Sequence, residues 1–269
     1  MRSRGRYTAS SAHAPEAHSA SSSVRASRTG KRYEWLSTRP LHILAFLLPF
    51  IIFYWVGSAL FLSTEGSVEA IKAERILGGF FDIFGVVSPY LSGIALIVVL
   101  LVWHLFLHDR WRVHPRVVLL MGLESTLWML PLLVAMALLP GGGGMVQLEQ
   151  VAAAPPAWAQ NLTIAIGAGI YEELLFRMIL IAMIHLVLVD LVKLPNTKAN
   201  IVAVIVSSLA FAVYHDGVLG PDAVNWPMLL TFFTAGCYFG VLYLWRGFGI
   251  AVGVHALYDI VVLVLLAGT

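Results

Sequence analysis

The sequence predicts an all-α fold, a polytopic transmembrane helical bundle of about seven spans, within a range of six to eight, behind a disordered basic N-terminal tail. Three observations carry this expectation. Hydrophobic residues make up 59% of the 269 positions and charged residues 12%, where ordinary soluble domains carry roughly a quarter charged residues. Mean hydropathy is +0.84. Several apolar runs also reach the roughly 20 residues that a helix needs to cross hydrocarbon.

Taken in order, the runs lie at 41–63, 83–107, 117–139, 161–192, 199–215, 227–245 and 248–267. The fourth is too long for one upright span, so it is expected to tilt, kink or extend beyond the bilayer. Loop charges give an orientation. The first 39 residues hold Arg2, Arg4, Arg6, Arg25, Arg28, Lys31, Arg32 and Arg39. Arg110, Arg112, Arg116, Lys193, Lys198 and Arg246 fall in the loops of the same side, while the alternate loops carry only Lys72 and Arg75 with Glu65, Glu69, Glu74, Glu149, Asp216 and Asp222. Basic residues favour the cytoplasmic side, which sets the N-terminus inside and, after seven spans, the C-terminus outside.

The chain divides into a tail over 1–39, N-terminal membrane helices over 40–154 and a C-terminal membrane domain over 155–269. The tail is rich in Ser, Ala, His and Arg and cannot bury a core; a solvated arm near anionic headgroups explains it. It lacks the layout of a secretory signal. Cys237 is the only cysteine, so no internal disulfide forms. Trp35, Tyr54, Trp55, Trp103, Trp111, Trp158, Trp226, Tyr243 and Trp245 sit near helix ends, as interface anchors do. Pro140 and Gly141–Gly144 lack the Lys-Ser/Thr of a phosphate loop and read as a flexible linker.

The chemistry concentrates in the last 110 residues. Glu172, Glu173 and Arg177 lie inside the fourth apolar run, where each charge costs about 2.5–3.5 kcal/mol on the lower scales and therefore needs a reason. Glu173 and Arg177 stand at i,i+4 and share a helix face, with the Glu on the favoured N-terminal side. Glu172 is turned about 100° away, and in an apolar cavity it suits a general base or acid. Phe211 and His215 end the next helix, and His255 and Asp259 stand at i,i+4 in the last. Together these helices could surround one water and one carbonyl group. Duller readings compete at each position: a structural clamp for the Glu-Arg pair, an interfacial residue for His215, and a packing hydrogen bond for His255 with Asp259. Glu124 in the third span competes for the same cavity, whereas His104, His108, His114 and His185 read as structural. Counted along their helices, His215 lies toward the outer end and His255 toward the inner end. A fifth helix starting nearer Leu194 brings them level.

The ordered set EExxxR (Glu172, Glu173, Arg177), FxxxH (Phe211, His215) and HxxxN/D (His255, Asp259) resembles the signature of the CAAX-protease and bacteriocin-processing family, which includes the type II CAAX prenyl proteases. The resemblance covers about residues 155–265. It implies an intramembrane glutamic protease in which Glu172 and His215 hold and activate water. His255 and the residue at 259 would then stabilise the oxyanion, with Glu173, Arg177 and Phe211 in support. Asp259 departs from the Asn of the prenyl-protein enzymes, although bacterial members tolerate Asp there. It could serve protonated, or by orienting and charging His255.

Three functions are therefore on the table. The first is a cofactor-free endopeptidase cutting a membrane-anchored protein or peptide, lipidated or not, near its C-terminus. The second is a zinc protease using Glu172, His215, His255 and Asp259 as ligands, although HExxH is absent. The third is a non-catalytic immunity or scaffold protein, or a proton-coupled transporter, although no internal repeat supports transport. Besides a substrate, the bilayer is the expected partner, and no nucleic acid is. The Ala-, Val-, Gly- and Arg-rich composition points to a GC-rich bacterium and its plasma membrane.

Overall fold

The computed structural model describes residues 30–64, 67–68, 71–85, 88, 90–140, 157–220 and 223–266. Of the disordered tail expected over 1–39, residues 1–29 lie outside them, as does the glycine-rich linker from Gly141 onward, whereas residues 30–37 are helical rather than disordered. Residues 36–269 form one compact unit, and residues 30–35 belong to a separate helical one.

Eight helices organise the larger unit: α1 (Pro40–Phe61), α2 (Lys72–Asp82), α3 (Leu91–Phe106), α4 (Pro115–Leu138), α5 (Trp158–Leu191), α6 (Asn196–Tyr214), α7 (Trp226–Arg246) and α8 (Phe248–Leu266). The only strands among the described residues are the two-residue pair Ser63–Thr64 and Ser67–Val68. The all-helical class expected from composition is therefore observed. Six of the helices, all but α2 and α3, are long and apolar enough to cross a membrane. The run at 83–107 differs from expectation, because a turn at 83–85 with Gly85 at φ +73° uses up its start. What remains is 16 residues, about 24 Å of helix. The segment 72–82, read from sequence as loop, is helix α2.

Helix starts follow ordinary rules. Pro40 and Pro115 open α1 and α4 with a preset φ and no orphan N–H. Asn225 caps α7 by accepting from the Met228 amide at 3.3 Å. A single residue, Gly247 at φ +86°, turns α7 into α8; a side chain there would be strained. Helix α5 has 34 residues, about 51 Å, and so outreaches the roughly 30 Å of hydrocarbon. It opens into π-helical turns after Glu173, and α8 does the same after Asp259.

The most extensive contacts join α6 to α7, α8 to both α5 and α4, and α1 to α5. Helix α8 is the central element, with Ile250, Ala251, Val252, Val254 and Ala256 fully buried. At Gly169 a Cβ would come within 2.7 Å of the Ala256 backbone, and at Gly236 within 2.8 Å of Ser208 Cα. Small residues of this kind let membrane helices approach closely. Gly169 thus draws α5 onto α8 just where Glu172, Glu173 and His255 stand.

Candidate active site

Three helices bring the motif residues together. Glu172 and Glu173 come from α5, His215 from the end of α6, and His255 and Asp259 from α8. Glu172 is 6% exposed and Asp259 8%, while Glu173 and Arg177 are fully buried. Arg177 Nη1 lies 2.9 Å from Glu173 Oε1, the i,i+4 ion pair expected from spacing. Arg177 Nη2 donates to the Gly236 carbonyl at 3.3 Å. Its guanidinium lies over the Phe211 ring at 4.4 Å and the Phe239 ring at 5.2 Å, so cation–π attraction adds to the pairing. A buried charge needs partners of this kind, because an uncompensated one is costly.

The same carboxylate oxygen reaches across to α8, where His255 Nδ1 lies 2.8 Å from Glu173 Oε1. A carboxylate that faces Arg177 is an acceptor, so Nδ1–H donates. This directs His255 Nε2 toward Asp259 Oδ2 at 3.4 Å and Glu172 Oε2 at 3.9 Å. His215 is fixed from its other side. Its Nδ1 lies 2.7 Å from the Phe211 carbonyl, which can only accept, so Nδ1–H donates and the neutral ring turns an Nε2 lone pair outward. That Nε2 lies 3.8 Å from Glu172 Oε2. Glu172 thus stands between two imidazole nitrogens at separations too long for a direct bond and short enough for a bridging water.

Two aromatic rings from α7 complete the enclosure. Phe232 stacks on His215 with centroids 3.8 Å apart, and Phe239 stacks on His255 at 4.5 Å. With Phe211, Ala235, Tyr258, Asp259 and Val262 the two stacked pairs bound a small cavity of ≈ 20 Å³, about the room one water needs. Sequence reasoning missed both rings. Their seven-residue spacing puts them on one face of α7, but in an apolar chain that is a faint signal.

Helix α6 begins at Asn196, three residues before the expected 199, and His215 caps its C-terminal end. His215 Nε2 and His255 Nε2 lie at similar distances from Glu172 Oε2, 3.8 and 3.9 Å. Glu124 does not line the cavity: its carboxylate takes Arg246 Nε at 2.5 Å and Nη2 at 2.8 Å. Among the remaining histidines, His42 and His114 stack on each other and His104 packs against Trp111. Among the described residues, no group of three or more His, Cys, Asp or Glu side chains is arranged to hold a metal ion.

No curated protein and no solved structure matches the chain. Residues 154–261 match the family model described as type II CAAX prenyl endopeptidase Rce1-like. That range holds Glu172, Glu173, Arg177, His215, His255 and Asp259. The C-terminal part of this chain is thus similar to type II CAAX prenyl endopeptidase Rce1-like domains, which supports the CAAX-protease family of membrane proteases.

Proposed function

We propose that the chain is an intramembrane glutamic endopeptidase that hydrolyses a peptide bond of a membrane-anchored protein near its C-terminus. The observation that carries this reading is Glu172 Oε2 standing 3.8 Å from His215 Nε2 and 3.9 Å from His255 Nε2. Glu172 and neutral His215 are both acceptors, so a water between them donates one hydrogen bond to each and keeps its lone pairs free. Glu172 takes a proton as that water attacks the scissile carbonyl, and returns it to the departing amine. The oxyanion then meets the pair His255 and Asp259, whose shared proton supplies the donor. Glu173 orients His255, and Arg177 balances Glu173.

The substrate lies in or on the bilayer, since the site is carried on membrane helices. The excess of Lys and Arg at the N-terminus and in alternate loops supports a cytoplasmic N-terminus, and composition supports a bacterial plasma membrane. A zinc-dependent reading with Glu172, His215, His255 and Asp259 as ligands requires these residues to draw together, and metal analysis of the purified protein tests it directly. Stoichiometric zinc whose removal stops cleavage would replace the glutamic mechanism.

Comparing membrane-protein C-termini by mass spectrometry, in cells carrying the native chain or Glu172→Gln, tests the proteolytic reading. Loss of a general base slows turnover by about 10²–10⁴-fold, so defined proteins keep uncut tails in the variant alone. Identical termini at equal expression would favour a scaffold or immunity role instead.

A further inference from the structure

Helix α2 lies outside both the matched domain and the spans, yet its side chains lead to the neighbours of both Glu172 and His215. Lys72 Nζ lies 2.5 Å from the Tyr214 carbonyl and 2.6 Å from Asp216 Oδ1, and 4.9 Å from the Tyr214 ring centroid. Tyr214 and Asp216 flank His215, where the backbone leaves the helix with ψ 133°. The carbonyls of a last helical turn lack intrahelical partners and carry partial negative charge. One ammonium therefore satisfies the end of α6 and holds the chain on both sides of His215.

Two residues along, Glu74 turns inward and is 4% exposed. It accepts a short hydrogen bond from the Tyr54 hydroxyl of α1. Tyr54 packs edge to face on Tyr171 with centroids 5.1 Å apart. Tyr171 is fully buried and directly precedes Glu172. A helix of eleven residues thus reaches the Tyr171 side chain next to Glu172 indirectly, through Glu74 and Tyr54, and the chain on both sides of His215 directly, through Lys72.

We propose that α2 is a clamp of the catalytic centre, with Lys72 the positioning residue for His215 and Glu74 the anchor that seats the helix. This rests on the proteolytic reading for its consequence on rate, but the geometry is testable without it. The first readout is the rate at which diethyl pyrocarbonate modifies His215 in the full-length protein in detergent micelles, followed by mass spectrometry with exposed His108 as the internal reference. Lys72→Met removes a charged hydrogen bond, so His215 is expected to react about tenfold faster while His108 is unchanged. Lys72→Arg keeps the donor and should restore most of the protection. Glu74→Leu, which unseats the helix, should reproduce the effect of Lys72→Met. The second readout is cleavage of a substrate identified through Glu172→Gln, where Lys72→Met should lower kcat about tenfold with KM within about twofold.

Unchanged His215 reactivity in folded Lys72→Met overturns the clamp. If that variant does not fold, Asp216→Asn removes one anchor and is read in the same way. If native and Glu172→Gln cells show identical protein C-termini but the His215 pattern holds, the clamp stands and the proteolytic reading falls.

Discussion

Glu173 and His255, 82 residues apart in sequence, are joined by a 2.8 Å hydrogen bond between α5 and α8. The bond decides which nitrogen of His255 faces the cavity. It also makes Glu173 a hinge of the site, because the same oxygen pairs with Arg177 at 2.9 Å. An Arg in this position is a neutraliser: it lets a fully buried carboxylate hold a histidine without a net charge in the bundle.

Glu173→Gln therefore does two kinds of damage. It weakens the orientation of His255, and it leaves Arg177 buried without its counter-ion. Removing one partner of a buried ion pair costs about 3–5 kcal/mol, whereas replacing both by apolar groups is often neutral. The unfolding midpoint of the purified protein should fall sharply in Glu173→Gln and recover in Glu173→Gln with Arg177→Met. Cleavage should stay low in both, since neither holds His255 as the native carboxylate does. A single variant as stable as the native chain would contradict the pairing argument.

Asp259 carries less of the orienting burden than its i,i+4 spacing from His255 suggests, because Glu173 already fixes the ring. What remains for it is the proton next to Nε2, at 3.4 Å. An Asn amide donates there as well, so Asp259→Asn should retain cleavage within about tenfold, whereas Asp259→Leu should lose about 10²–10³-fold, as for a missing oxyanion donor. Initial rates on one substrate decide it. A loss in Asp259→Asn equal to that in Glu172→Gln would mean the ionised carboxylate itself is needed.

The parts of this architecture that were legible in the sequence are local. The spacing of Glu173 and Arg177 implied their pairing, and the ordered motifs implied which three helices meet. The bond from Glu173 to His255 is long-range and left no periodic trace. Hydropathy also loses its usual meaning in such a chain, since lipid-facing and buried positions are equally apolar. In α4, Leu119 is 67% exposed and Met121 fully buried, yet the two are alike by composition. That is why Phe232 and Phe239 could not be separated from ordinary bundle residues, and why Glu124 competed for the cavity until Arg246 was seen to hold it. Helix α2 was missed for a different reason: its charges marked it as a loop, while Lys72 and Glu74 turn toward protein partners.

Close approach at Gly169 supports a steric prediction. An added Cβ would sit 2.7 Å from the Ala256 backbone nitrogen, and backbone cannot move aside as a flexible side chain can. Gly169→Ala raises helix propensity by up to about 1 kcal/mol, yet it should push α5 from α8 and widen the gap between Glu172 and His255. Cleavage should fall at least about tenfold, as sub-ångström misplacement of reacting groups does. Gly122→Ala meets only Phe46, at 3.9 Å, and should be neutral or slightly stabilising. Equal activity in the two variants would show that the α5–α8 contact is slack.

Glu74, outside the spans, gives the pH dependence. Burial pushes its carboxyl up to about 7, and the Tyr54 hydrogen bond opposes that shift only in part. Tyr54 and Tyr171 face it from α1 and α5, while Lys72 and Arg75 are its charged neighbours on α2. A raised acid pKa means that the folded state holds more protons than the unfolded chain between about pH 4.5 and 7. Stability therefore falls as pH rises through that window and levels off above it. The full effect is up to about 3 kcal/mol. The unfolding midpoint should thus be lower at pH 8 than at pH 5, and Glu74→Gln should flatten that slope. Because α2 is seated through Glu74, His215 should also become more reactive toward diethyl pyrocarbonate over the same rise in pH, beyond the change seen at His108. A slope that survives in Glu74→Gln would assign the titration to another group and free α2 from it.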